Sequence, residues 1–126
     1  MKHSIDKQEK YVIVSLEEGK LDAIVSSDLK IILQELQLEG VKNIIIDLKE
    51  VKYIDSSGLS ALIVGNHLCK DATGTMILCQ ISEHAMKIIK ISQLNSVFDI
   101  LPTVAEAIDA VFISELERDF GKEESI

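Results

Sequence analysis

The sequence predicts an α/β fold: a mixed, mostly parallel sheet of four to five strands with about four packed helices. Two observations carry that expectation. Runs rich in β-branched residues alternate with segments whose apolar residues recur at helical spacing, the pattern of strand–helix–strand units. The first two β-rich runs lie close together, so an antiparallel pair opens the sheet and makes it mixed. The chain has 126 residues, 47% of them hydrophobic, which suits one domain with one core.

The elements follow in order. A short strand near Ser4–Lys7 closes a hairpin through "QEK" onto "YVIVSL", Tyr11–Leu16. "EEGKLD" turns the chain at Gly19. Leu29, Ile32, Leu33 and Leu36 then mark one face of a helix, with Ser26 or Ser27 as its expected N-cap and Gly40 as its stop. "NIIIDL", Asn43–Leu48, reads as a strand buried on both faces. "KEVKYID" connects it to a second helix, apolar at Leu59, Leu62, Ile63 and Leu68, in which Gly65 reads as a mild defect. "DATG" breaks that helix and "TMILCQI" resumes as a strand. Ser82 caps a short helix with Met86 and Ile89 inward, and Asn95–Ile100 is the place for a last strand. Pro102 opens the final helix, where its missing N–H costs nothing, and Val104, Ile108, Val111 and Phe112 form its inner face. The charged tail, 117–126, is expected to fray. The whole is one domain, 1–126, with its core at about 5–112.

Charge narrows the function. Thirteen Lys and Arg stand against 21 Asp and Glu, a formal −8. Such a surface repels nucleic-acid phosphates and acidic lipids. It suits a protein partner with a basic patch. The start, "MKHSIDKQEK", has no signal-peptide core, and no apolar run approaches the roughly 20 residues of a membrane span, so the expectation is a cytoplasmic protein without membrane insertion. Cys69 and Cys79 lie in apolar segments, form no CxxC pair, and read as buried reduced thiols.

The chemistry concentrates in "YIDSSGLSALIVG", residues 53–65. Asp55, Ser56 and Ser57 precede an apolar helix, and each is a residue type that caps one. Gly58 allows a tight turn. A nucleophilic serine would need GxSxG and a base; "IDSSG" lacks the first glycine, and the spacing of His3, His67 and His84 argues for no triad or metal site. A third reading is a modified serine. A hydroxyl at an exposed helix N-terminus takes a phosphate without disturbing the core, because the helix dipole and free N–H groups favour the added charge. Local chemistry does not rank Ser56 against Ser57.

"NIIIDLKEVKYIDSSGLSALI" is similar to the central motif of STAS domains, the sulphate-transporter and anti-sigma-factor-antagonist family. In its bacterial antagonists an apolar strand ending in Asp or Asn leads to Asp-Ser-Ser-Gly-Leu or Asp-Ser-Thr-Gly-Leu. Asp47 ends the strand here, and Asp55, Ser56, Ser57, Gly58 and Leu59 follow. A second family element, Gly-x-Leu-Asp, is matched by Gly19, Lys20, Leu21 and Asp22. The likeness spans about residues 5–112. Lys20 stands where an acid is common, and Gly65-Asn66-His67 where a basic residue often occurs.

The resemblance implies a STAS fold and a binding module, not an enzyme. The unphosphorylated antagonist would bind an anti-sigma factor with a histidine-kinase-like ATPase fold and so release a sigma factor. That serine kinase would phosphorylate Ser56 with its own ATP and Mg²⁺, so the chain itself needs no cofactor or metal. A PP2C-type phosphatase would reset the switch. Asp22, Asp55, Ser57, Gly58 and Leu59 would form part of the docking face. Alternatives are a stressosome-like scaffold, the STAS subunit of an ABC lipid-transport system, or a module that binds a nucleotide or partner without switching.

Overall fold

The computed structural model describes residues 1–124, and the side chains of residues 1–120. Seven strands and four helices follow in the order β1 (His3–Lys7), β2 (Val12–Leu16), β3 (Lys20–Leu21), α1 (Ala23–Leu38), β4 (Ile44–Asp47), β5 (Tyr53–Ile54), α2 (Ser56–Asp71), β6 (Met76–Cys79), α3 (Glu83–Ile91), β7 (Asp99–Leu101) and α4 (Val104–Glu124). The main sheet has five strands in the order β1-β2-β4-β6-β7. β1 pairs antiparallel with β2, Ile5 opposite Val14, and the other pairings are parallel. The mixed, mostly parallel sheet with four helices is therefore the expected one.

The sheet separates two apolar layers. On one face, α1, α2 and α3 contribute Leu29, Leu33, Leu62, Cys69, Ala85 and Ile89 to a core that includes Val14, Ile46 and Leu78. On the other face α4 lies alone, with Ala107 and Val111 over Ile45, Ile77 and Cys79. β4 is buried on both sides, as its unbroken isoleucines require.

Several local expectations need correction. α1 starts a turn before Ser26 and Ser27: the Asp22 carboxylate accepts from the N–H of Val25 at 3.1 Å and caps it. Ser26 is left inside the helix at 2% exposure. Gly65 is no mere defect, because a Cβ there would come within 2.8 Å of Met76 Sδ and 2.9 Å of Leu33 Cδ1. The last strand occupies Asp99–Leu101, and Asn95–Phe98 is a turn before it. Pro102 stands outside α4. Thr103 caps that helix, its hydroxyl oxygen accepting from the N–H of Glu106 at 3.1 Å. Along α4, Val104 and Ile108 flank the buried Ala107–Val111 pair, but Phe112 turns outward, half exposed, in a T-shaped pair with Tyr11 at 6.2 Å between centroids. Helix α4 continues through residues 117–124 of the charged tail, and 125–126 lie outside the described residues.

Candidate functional site

Two dipeptides build the site. Lys20–Leu21 and Tyr53–Ile54 pair as a two-stranded parallel ribbon, Lys20 opposite Tyr53 and Leu21 opposite Ile54. An aspartate follows each, Asp22 after Leu21 and Asp55 after Ile54. Paired strands lie about 4.8 Å apart, so the two aspartates leave the ribbon side by side. Each opens a helix: Asp22 caps α1, and Asp55 caps α2 by accepting from the N–H of Gly58 at 2.9 Å. The N-termini of α1 and α2 are thereby neighbours, each with a carboxylate over its first turn.

Ser56, Ser57 and Gly58 are the first three residues of α2. Ser56 is exposed, Ser57 is half-buried, and Gly58 is buried. The last point has a steric cause. A Cβ on Gly58 would lie 2.5 Å from the carbonyl oxygen of Leu21 and 2.8 Å from Ile54 Cγ2. Leu59 is 8% exposed and belongs to the core, so its share in any surface is small. The structure thus brings Asp22, Asp55, Ser56, Ser57 and Gly58 together at one corner, with Leu59 beneath.

The bonds of Asp47 among the described residues go to other partners. Its carboxylate accepts from the N–H of Lys49 and from Gln80 Nε2, both at 3.0 Å, which fixes the turn after β4. The imidazoles are elsewhere too. His3 bonds the carbonyl of Met1 at 3.0 Å, and His67 and His84 are exposed on α2 and α3. No cluster of three or more metal-ligating side chains occurs among the described residues. A cleft of about 270 Å³ between the β1–β2 turn, the end of α1 and α4 includes Asn43 and Glu115 but none of the corner residues.

Two corner residues escaped the sequence reading. Ile24, in the first turn of α1, is 77% exposed, and Tyr53 on the ribbon is 44% exposed. The signal was present in the repeated form "KLD" and "YID": an apolar residue, then Asp, then a helix. Exposed apolar side chains beside a cluster of polar ones are the composition of a protein-binding surface.

Comparison with known proteins places this geometry. The STAS domain family model matches residues 3–107. A curated relative named "Putative anti-sigma factor antagonist BtrV", from Bordetella bronchiseptica, is 26% identical over 118 residues, covering 94% of this chain and all of the relative. An anti-sigma factor antagonist from Mycobacterium paratuberculosis superimposes with a TM-score of 0.77 at 20% identity, covering 87% of this chain and 92% of that one. The Bacillus cell fate determinant SpoIIAA in its phosphorylated form gives a TM-score of 0.68 at 23% identity, covering 87% and 99%. No helix among the described residues is long and apolar enough to cross a membrane. By its sequence over most of its length and by its fold, the chain belongs to the STAS domain family.

Proposed function

We propose that the chain is an anti-sigma factor antagonist switched by phosphorylation of Ser56. The observation that carries this reading is the position of that serine. It is exposed in the first turn of α2, just after the Asp55 cap, beside the capped N-terminus of α1. Of the two adjacent hydroxyls it is the more accessible, which supports Ser56 over Ser57. The relative SpoIIAA, of the same fold, exists in a phosphorylated form.

In this reading the partner is an anti-sigma factor that is also a serine kinase. The unphosphorylated corner, Asp22, Asp55, Ser57 and Gly58 with Ile24 and Tyr53 at its rim, docks on it in the cytoplasm and frees a sigma factor. The kinase then transfers the γ-phosphoryl group of ATP. Ser56 Oγ forms the new P–O bond, the bond to the β-phosphate oxygen breaks, ADP leaves, and the hydroxyl proton goes to solvent or a kinase base. ATP and Mg²⁺ belong to the kinase. The product carries about two further negative charges beside Asp22 and Asp55. Like-charge repulsion and bulk then break the docking, while the core beneath is untouched. A PP2C-type phosphatase restores the hydroxyl.

The test is intact mass and site mapping of the protein from its native cells, beside Ser56→Ala and Ser57→Ala versions. One phosphate that vanishes only in Ser56→Ala is the expected result. A phosphate that persists in Ser56→Ala, or none under any growth condition, overturns the reading.

A further inference from the structure

Helix α4 is apolar on two faces. Its inner face packs Ala107 and Val111 against the sheet. At about 100° per residue, Ile113, Leu116 and Phe120 point roughly 140–180° away from Val111. They are 56%, 56% and 59% exposed, and the adjoining Phe112 is 45% exposed. A surface helix ordinarily turns polar residues outward opposite its core stripe. Four side chains of roughly 150–200 Å², about half exposed, leave on the order of 400 Å² of contiguous apolar surface, a size that marks an interaction site.

The charges around the patch select its occupant. Glu106 and Glu117 border one long side, Asp119 the other, and Asp109 its first turn. The cations near this helix, Arg118 at 3.6 Å from Glu115 and Lys10 and Lys42 beside the same carboxylate, gather at Glu115, which lies about 40° round the helix from Val111 and so on the inner side, away from the patch. A second copy would set acidic borders against acidic borders, and an anionic membrane would be repelled likewise. We propose that the outer face of α4, Phe112–Phe120, docks an amphipathic helix of another protein whose apolar stripe is bordered by Lys and Arg. This face is remote from Ser56. Glu115, within it in sequence, holds Asn43 at the start of β4, whereas α2 begins near the opposite ends of the parallel strands. The two surfaces can be occupied together, and this proposal stands independently of the serine switch.

The probe is a labelled helical peptide of about five turns with Leu at i, i+3, i+4 and i+7 and Lys and Arg on the borders. Its twin carries Glu on the borders. Fluorescence anisotropy with the full chain should show the basic peptide binding at least about tenfold more tightly than the acidic twin. Combined Ile113→Gln, Leu116→Gln and Phe120→Gln should abolish that binding with an unchanged thermal midpoint. Amide NMR shifts on the unmutated chain keep the idea testable should that variant not fold: changes should centre on Phe112–Phe120. Equal binding of both peptides, binding of neither, or shifts centred on Ser56–Leu59 would overturn the proposal. So would dimerisation in sedimentation that the triple substitution removes, or capture on anionic vesicles, since each names a different occupant.

Discussion

The backbone N–H of Asp55 donates to the carbonyl of Leu21 at 3.2 Å. With the bonds from the N–H groups of Lys52 and Tyr53 to the Gly19 carbonyl, at 2.8 and 3.2 Å, it joins the two halves of the corner, which are separated by the whole of α1 and β4. It holds the cap of α2 against the ribbon that leads into α1. Anything that pries Leu21 from Ile54 therefore moves the Asp22 carboxylate relative to Asp55 and Ser56.

Gly58→Ala is the sharpest probe of that closeness. Its added methyl would lie 2.5 Å from a backbone oxygen, which cannot rotate away as a side-chain end can. Overpacking of this kind costs about 1–3 kcal/mol. The urea midpoint should fall accordingly. Gly19→Ala, where a Cβ meets nothing within 4 Å, should leave it within about 0.5 kcal/mol of wild type.

Cap and hydroxyl are separable. Asp55 accepts from the N–H of Gly58, so Asp55→Ala should destabilise by about 1 kcal/mol in chemical denaturation. Ser56 is exposed and lies outside that cap, so Ser56→Ala should change stability by less than about 0.5 kcal/mol. A large loss in Ser56→Ala would make the serine a structural residue first. Asp22→Asn refines the test, because asparagine caps as well as aspartate but carries no charge. Unchanged stability with altered partner binding would give Asp22 a docking role beyond its cap.

Much of this was legible in the sequence because it rests on local pattern. The isoleucine run of β4, the hairpin, and the capped apolar helices each have a period or a terminus that a reader can count. The corner's assembly was not legible. β3 and β5 are each two residues long, too short for an alternation, and they pair across more than 30 residues of chain. Without that pairing, Ser26 or Ser27 reads as the cap of α1 in place of Asp22, and Gly58 as a turn glycine instead of the place where two backbones meet. The outward turn of Phe112 was hidden for a related reason. The apolar residues of α4 cover two faces, so a single helical stripe could be drawn through them only by choosing one.

Asn43 was equally hidden. It is 2% exposed, and its amide donates to the Lys10 carbonyl at 2.9 Å and to Glu115 Oε1 at 2.7 Å, while its oxygen accepts from the N–H of Thr75 at 3.0 Å. One side chain thus ties the hairpin, β6's approach and α4. The bond from Asn43, chiefly, holds the Glu115 carboxyl below its ordinary 4.5, with Lys42, Arg118 and Lys10 adding to it against partial burial. A depressed folded pKa contributes stability that is present above about 4.5 and is lost as pH falls through the folded value. Glu115→Gln keeps an acceptor for Asn43 but removes the titration. The stability difference between wild type and Glu115→Gln, measured by urea melts across the acid range, should shrink as pH drops below 4.5. A difference independent of pH would show that the carboxylate contributes nothing through its charge.

The two thiols give an opposite pH dependence. Burial pushes Cys69 up to about 12, a bond with the Ile44 backbone offsetting it in part. Cys79 is likewise pushed up to about 12, by burial first and then by the Asp47 carboxylate. Both stay protonated in the folded chain at pH 8, whereas unfolded thiols begin to ionise near their ordinary 9.0. Three units of difference leave roughly a thousandfold less thiolate in the fold, before access is counted. An aromatic disulfide reagent at pH 8 should therefore leave the native protein unmodified on a timescale that labels both thiols in denaturant. Above pH 9 the unfolded chain releases these protons and the folded chain keeps them until about 12, so stability should fall across that window. Cys69→Ala with Cys79→Ala should flatten the fall while lowering stability by the packing lost. Rapid labelling of either thiol in the native protein would mean that the layer between α2, the sheet and α4 opens far more often than its burial implies.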